Sequence, residues 1–502
     1  MSFVLGIDVG TTGTKTILMD VDGRIISSAY QGYGLYSNGS FHVEQNADDW
    51  WNAVVLTVRQ CTQGFGYKRS IEAIALSSQG GTMIPVNEQG NPLSNAVVWM
   101  DTRAGAQGSK LNKQYGENYF YYKTGWRAAN CFNFLQILWM KENNFELFSQ
   151  THKFLSTIEY INYKLSGIFA IDQTNAGITQ LYNIIDKCWD KDLMELCGID
   201  EAKLSDIIES GEIIGELTSD AAEQLGLPKR VKLISGAHDQ FCASIGNGAI
   251  KLGDVLLSCG TSWCVMGLSD KPVFSDTAYF SPGRHILKDL YGIFSYTPAG
   301  GAALEWYKNN IAMNVSKDEM ESFGEIDTKI GNIPAGSENL YFFPHFGGTS
   351  CPTWSDKNRG TIMGLTFRHT RYHIAKACME GVVYDIKWML EKQKEKGFAV
   401  SKLRALGGAS KSQLWMQIAS DILGLPVIRP GFADVPALGA AIIAGVGAGI
   451  FSDFMDGFNR IICKISVLEP NPENSKIYDL LFEEYKRRFE LLRQCYNDPP
   501  CI

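Results

Sequence analysis

A chain of 502 residues, 45% apolar and 20% charged, has the composition of a soluble globular protein but is too long for a single core, so two or three domains are expected. Its net charge of −8 argues against a nucleic-acid surface as the main business of the chain. The twelve cysteines contain no CxxC pair and no zinc-like Cys/His spacing. Several (Cys242, Cys259, Cys378) lie in apolar runs, as free thiols do in a reducing compartment. Asp8 interrupts any apolar signal segment, and the longest apolar run, Val435 to Phe451, falls short of a membrane span. A buried helix there, no membrane partner and a cytoplasmic location are expected.

Phe3 to Asp20, FVLGIDVGTTGTKTILMD, reads as strand, Gly/Thr turn and strand. Gly10 to Thr14 offers flexible backbone N–H groups and three hydroxyls, the equipment for gripping an anion. Asp8 stands at the mouth of the turn, where a carboxylate could hold a divalent cation through water. The stretch is not a P-loop, because Thr14 separates Gly13 from Lys15, and the GxGxxG spacing is absent. An ordinary hairpin explains it equally well at this point.

Ile25–Tyr30 reads as a third strand, Ala47 to Cys61 as an amphipathic helix and Ile71–Ser77 as a strand. That last strand delivers Ser78-Gln79-Gly80-Gly81-Thr82 to the carboxyl edge of a sheet, where open α/β sheets place ligands. Trp99-Met100-Asp101-Thr102-Arg103 offers an aromatic face with a carboxylate and a guanidinium, suited to a polyhydroxylated ligand or to a plain salt bridge. From Asn130 to Leu225 the pattern is helical with short strands, and no chemistry stands out.

Val231–Ile234 is a short strand, and the helix Phe241–Gly248 opens on Asp239, either as N-cap or as a catalytic carboxylate. Val255 to Met266 then repeats the strand, Gly-Thr-Ser turn and strand of residues 7–18, which suggests two similar domains facing each other. Tyr296–Trp306 brings a glycine pair onto a helix start. A helix spans His373 to Leu390, with His369/His373 as a surface pair rather than a metal site. Leu403–Leu406 leads through Gly407-Gly408-Ala409-Ser410 into a helix with Ser410 as N-cap, a ready nucleotide site. Pro470 to Cys495 is a charged amphipathic helix expected to pack on the surface or on a partner.

In this order, GIDVGTTGTK (6–15), WMDTR (99–103), GAHDQ (236–240), SCGTS (258–262), the segment 360–380 and LGGASKSQLWMQIASDILGLPV (406–427) resemble the FGGY carbohydrate kinases of the actin and hexokinase superfamily. The resemblance covers nearly the whole chain. It implies an α/β fold of two ribonuclease-H-like domains flanking a cleft, residues 1–245 on the sugar side and 246–502 on the ATP side. It implies ATP-dependent phosphorylation of a sugar or polyol hydroxyl, with ATP and Mg²⁺ as cofactors. By resemblance, Thr11, Thr12, Gly260 and Thr261 hold phosphates, and Asp8 places Mg²⁺. Gly300, Gly408, Ala409 and Ser412 line adenosine. Gln79, Gly80, Asp101, Arg103, Asp239 and Gln240 face the sugar, with Asp239 as general base.

The sequence departs from the family on the sugar side. Xylulokinases and gluconokinases carry Met-His-Gly after the equivalent of Gln79, and glycerol kinases an Arg-Glu pair; here Gly80-Gly81-Thr82 follow. Gln136 stands where Lys is usual. A xylulose-like ketopentose is the expected acceptor, with gluconate, another ketose or a polyol as alternatives; a homodimer is left open. A non-metabolic actin-like ATPase or a silent sugar sensor fits less well, given Asp239 and WMDTR.

Overall fold

The first apolar stretch becomes the middle of a sheet because both of its faces are covered. In the computed structural model, which describes residues 2–39, 42–129, 131–276, 280–312, 322–432, 434–462 and 465–497, β1 (Phe3–Val9) is buried along its length except at Asp8. It pairs antiparallel with β2 (Gly13–Asp20), and β2 with β3 (Ile25–Gly32). Helix α1 (Ala47–Cys61) buries Trp50, Trp51, Val54 and Val58 against this side. β4 (Ile71–Ser78) runs parallel to β1. β5 (Ile213–Glu216) and β6 (Lys232–His238) complete a six-stranded sheet of order β5-β6-β4-β1-β2-β3.

After α2 (Asp239–Asn247), the pattern starts again. The second sheet takes β7 (Gly253–Cys259), β8 (Trp263–Ser269), β9 (Ser281–Arg284) and β10 (Tyr291–Thr297). Helices α3 (Gly301–Asn310) and α4 (Arg371–Glu395) follow, then β11 (Val400–Leu406), α5 (Gln413–Leu423) and β12 (Val427–Pro430). Helix α6 (Val435–Gly447), β13 (Ile465–Leu468) and α7 (Pro472–Asn497) end the chain. The order is β9-β10-β8-β7-β11-β12-β13. Strands β3-β2-β1-β4-β6 and β10-β8-β7-β11-β12 share one sequence of antiparallel and parallel pairings. The repeated hairpin is thus part of a repeated five-stranded unit.

The apolar run at Val435 is the buried helix expected, and it packs across the divide between the sheets. Gly6 of β1 lies so close to α6 that a Cβ there would stand 2.0 Å from the Ala437 carbonyl oxygen. Where α2 and α6 cross, a Cβ on Gly246 would fall 2.2 Å from Val435 O, and one on Gly439 1.8 Å from Cys242 O. Only glycine permits that backbone contact. A core shared by both sheets surrounds it, with Val4, Ile17 and Ala73 from one and Leu256 and Met266 from the other.

Residues 133–225 are helical with two- to four-residue strands, as expected; residue 130 lies outside the described residues. Helix α4 runs past its expected end at Leu390 to Glu395, and a Thr370/His373 capping box closes its start. His373 therefore serves as a cap, and no group of three metal-ligating side chains occurs among the described residues. Two caps differ from expectation. His238, not Asp239, is the N-cap of α2 and accepts from Gln240 N–H, which leaves Asp239 as the first helical residue. Ser412, not Ser410, caps α5, because Ala409–Lys411 form an intervening 3₁₀ turn. Helix α7 packs on the protein as an amphipathic helix: Tyr478, Phe482, Tyr485 and Phe489, on one helical face, join the second core. The ten described cysteines are free thiols. No helix among the described residues is long and apolar enough to cross a membrane.

Candidate active site

The carboxyl ends of β1, β4 and β6 meet at one edge. Asp8, near the end of β1, accepts a 2.6 Å hydrogen bond from the Ser77 hydroxyl on β4. Burial pushes its carboxyl up to about 7; the charges of Asp239 and Asp434 add to this, and the Ser77 hydroxyl and Lys15 ammonium oppose it. Lys15 in turn pairs with Asp434, which precedes α6. The first glycine turn is braced: Tyr33 OH donates to Gly10 O at 2.6 Å, Gln45 Nε2 to Thr11 O at 2.7 Å and the Trp99 indole N–H to Thr11 Oγ1 at 3.1 Å.

The second turn, Gly260-Thr261-Ser262, is packed directly on the start of α3. Gly301 N–H donates to Gly260 O and Ala302 N–H to Thr261 O, each at 3.0 Å. A Cβ on Gly300 would lie 2.0 Å from the Trp263 ring, so this glycine is set by the hairpin beneath it. Beyond it, Gly407 has φ +96°, and a Cβ there would meet Cys259 O at 2.7 Å; Gly408, by contrast, faces open space. Gly408 lines a cavity of about 690 Å³ with Leu406, Lys411, Arg429 and Phe432. At the neighbouring Ser412, the hydroxyl donates to Asp327 at 2.6 Å.

On the sugar-facing side expected from sequence, Gln79 is buried and donates to Gln45 Oε1 at 2.9 Å. Asp101 is fully engaged, accepting from Val43 N–H and from the backbone, Nε and Nη2 of Arg103. Arg103 also reaches Glu44 at 2.7 Å and lies over the Trp139 ring. The salt-bridge reading of WMDTR is the one the structure shows: a buried Asp101–Arg103 ion pair holds the loop that carries Trp99, a residue 44% exposed. Gly80 and Gly81 are set by close neighbours, His238 beside the first and the Cys131 carbonyl beside the second.

Asp239 begins α2. The strand end that carries it is anchored by His238 N–H donating to Thr174 Oγ1 at 2.8 Å, while Asp172 caps that threonine's helix. Four side-chain oxygens at this edge are buried without a protein partner: Thr14 Oγ1, Gln79 Oε1, Asp239 Oδ1 and Gln240 Oε1. Buried acceptors are rarely left unpaired, and a cluster of them at a strand edge is suited to the hydroxyls of a ligand. Asp8 fits a magnesium ion held mainly through water and phosphate oxygens, since a cation there relieves the unfavourable buried charge and only one or two carboxylates are needed. Sequence reasoning missed Ser77, Gln45, Glu44 and Asp434. Only Asp434, an acidic residue just ahead of a helix carrying Pro436, had a local signal.

Residues 3–246 match the model for the FGGY family of carbohydrate kinases, N-terminal domain, and residues 255–448 match the C-terminal domain of the same family. The chain belongs to the FGGY family of carbohydrate kinases. It is similar to the xylulose kinase of Bacillus subtilis (strain 168), 28% identical over 97% of this chain and 96% of that one. It is likewise similar to the gluconokinase of the same organism, 28% identical over 99% and 97%. Among solved structures it resembles ligand-bound xylulose kinase from Lactobacillus acidophilus, with a TM-score of 0.92 and 27% identity over 99% of both chains. As an FGGY kinase it is a phosphotransferase acting on an alcohol group of a small sugar. Kinases of this family take the phosphoryl group from ATP, generally with Mg²⁺.

Proposed function

We propose that this FGGY kinase phosphorylates a ketopentose, xylulose or a close analogue, from MgATP. The observation that carries the reading is the convergence of Asp8 and Asp239 at the carboxyl ends of neighbouring parallel strands, Asp8 paired with Ser77 of β4 and His238, just before Asp239, paired with Ser78. Full-length similarity to xylulose kinases supports the acceptor class. The gluconokinase relative keeps an aldonate as the second reading.

In this reading, residues 1–245 form the sugar side and 246–502 the nucleotide side. Asp239 removes the proton from the attacking hydroxyl as the oxygen approaches the γ-phosphorus, a contribution of ~10²–10⁴-fold. Thr11 and Thr12 on one turn, with Gly260 and Thr261 on the other, hold the phosphates in line. Gly300, Gly408, Ala409 and Ser412 receive the adenosine. Gln79, Gly80, Asp101, Arg103 and Gln240 shape the sugar pocket, Asp101 and Arg103 by bracing its loop. Magnesium, held by Asp8, would neutralise charge developing on the transferred group. The fold's two halves exclude water that would otherwise hydrolyse ATP.

The test is ADP release across pentuloses, hexuloses, polyols and aldonates. Xylulose or a neighbouring pentulose should give the highest kcat/KM. A clear preference for gluconate over every ketose would replace the first reading with the second.

A further inference from the structure

Gly80 and Gly81 leave no room for side chains of their own. A Cβ on Gly80 would lie 2.7 Å from Cδ2 and 2.9 Å from Nε2 of His238, and 2.8 Å from Ile178 Cγ2. A Cβ on Gly81, whose φ is +67°, would meet Cys131 O at 2.5 Å and Trp99 Cβ at 2.9 Å. The space a side chain at position 80 would take is already filled by an imidazole arriving from the next strand of the sheet. We propose that His238 replaces residue 80 as the specificity-determining side chain beside the catalytic carboxylate, reading a sugar oxygen through its Nε2–H. This inference rests on the sugar-kinase reading of the site.

The tautomer follows from local geometry. His238 Nδ1 accepts the Gln240 backbone N–H at 3.4 Å as the N-cap of α2, so in the neutral ring the proton sits on Nε2. Nε2 is the edge that overlies Gly80, and the side chain is 14% exposed, enough to be reached from the cleft. The unpartnered atoms around it (Gln79 Oε1, Asp239 Oδ1 and Gln240 Oε1) are all acceptors. A polyol satisfies them by donating its hydroxyl protons, and its oxygens then need a donor in return. Nε2–H is such a donor, next to the base. His238 Nδ1 is also 3.3 Å from Asp239 Oδ1, but with its lone pair given to Gln240 N–H it donates nothing there, which leaves that carboxylate oxygen free for a substrate hydroxyl. A pocket read in this way favours substrates with an oxygen, carbonyl or hydroxyl, beside the phosphorylated carbon, and discriminates against deoxy analogues there.

Two isosteres separate the functions of the ring. His238→Asn places an amide oxygen near Nδ1 and keeps the cap; His238→Gln extends an amide N–H toward the Nε2 position. The readouts are KM for sugar, KM for ATP, and sugar-induced thermal stabilisation of the full chain. We expect His238→Asn to raise the sugar KM at least tenfold with the ATP KM held within twofold, and His238→Gln to retain the sugar KM within about threefold. Gly80→Met should abolish sugar-induced stabilisation, and Gly80→Met combined with His238→Gly should restore part of it, because the added side chain then has room. Equal sugar KM values in the Asn and Gln variants, a loss confined to kcat, or no rescue in the double variant would overturn the proposal. If the preferred acceptor is not a ketose, the same variants are read on whichever sugar serves. If no sugar releases ADP, the function reading fails, while sugar-induced stabilisation still decides for or against His238.

Discussion

The indole N–H of Trp99 hydrogen-bonds the hydroxyl of Thr11, joining the loop proposed to face the sugar to the turn proposed to hold the phosphates. A partly exposed bond of this kind is worth about 0.5–1.5 kcal/mol. Trp99→Phe keeps the ring and removes the tie, so KM for ATP should rise roughly two- to tenfold. Thr11→Val removes the tie together with the phosphate contact proposed for its hydroxyl, so its loss should be the larger, and the double variant should be no worse than Thr11→Val alone. Additive effects in that cycle would mean the two residues act independently.

Asp239→Asn preserves shape and loses the proton acceptor. Turnover should fall ~10²–10⁴-fold while sugar-induced thermal stabilisation persists. Turnover within a factor of two of the unmodified chain, measured by ADP release, would remove Asp239 from the role of base.

Asp8→Asn should raise the Mg²⁺ concentration needed for half-maximal rate by an order of magnitude or more, because a neutral amide attracts the cation's water shell less well than a carboxylate. Chelation by EDTA should stop turnover and leave sugar-induced stabilisation intact. Full activity in EDTA would rule out the metal role assigned to Asp8.

Glu159 gives a pH signature unrelated to catalysis. Its carboxylate closes the capping box of helix Thr157–Ser166 by accepting from Ser156 N–H at 2.6 Å, and burial pushes it from 4.5 up to about 7. A carboxyl with a raised native pKa contributes its stability in full below the unfolded value, and this is lost as pH rises through about 7. The amount at stake is on the order of 3 kcal/mol. Glu159→Gln, whose amide does not titrate, should therefore gain on the parent between pH 4.5 and pH 8.5, in urea melts at both pH values. A stability difference independent of pH would contradict the shift.

Much of this was readable in the residues. The two hairpins announced themselves because strand, glycine-threonine turn and strand are local patterns, and their recurrence implied the repeated sheet before any pairing was known. Asp8 lies in the first hairpin, whereas Asp239 and the Gly407-Gly408 turn stand out through their own strand-to-helix junctions. Long-range contacts were not legible. Nothing near Gly80 indicates that His238 lies over it, and nothing near Lys15 points to Asp434 in the other half of the sequence. The caps of α2 and α5 were misplaced because a histidine nitrogen can cap as a serine oxygen does, and because a single 3₁₀ turn moves a helix start by two residues.

The crossing of α2 and α6 has a consequence for how the chain is made. The face of β1 and β4 that α6 covers belongs to the sheet finished at His238, yet the helix that covers it emerges from the ribosome only after Gly447. At ~5–20 residues per second, a separation of roughly 200 residues is a delay on the order of 10–40 s. Throughout that interval the nascent first half carries an uncovered apolar face, so it should depend on a chaperone that the finished protein does not need. Ribosome-bound chains arrested before residue 430 should bind the dye ANS and resist refolding, whereas chains arrested well past residue 450 should not. Equal dye binding at both arrest points would show that the first sheet completes its core without α6.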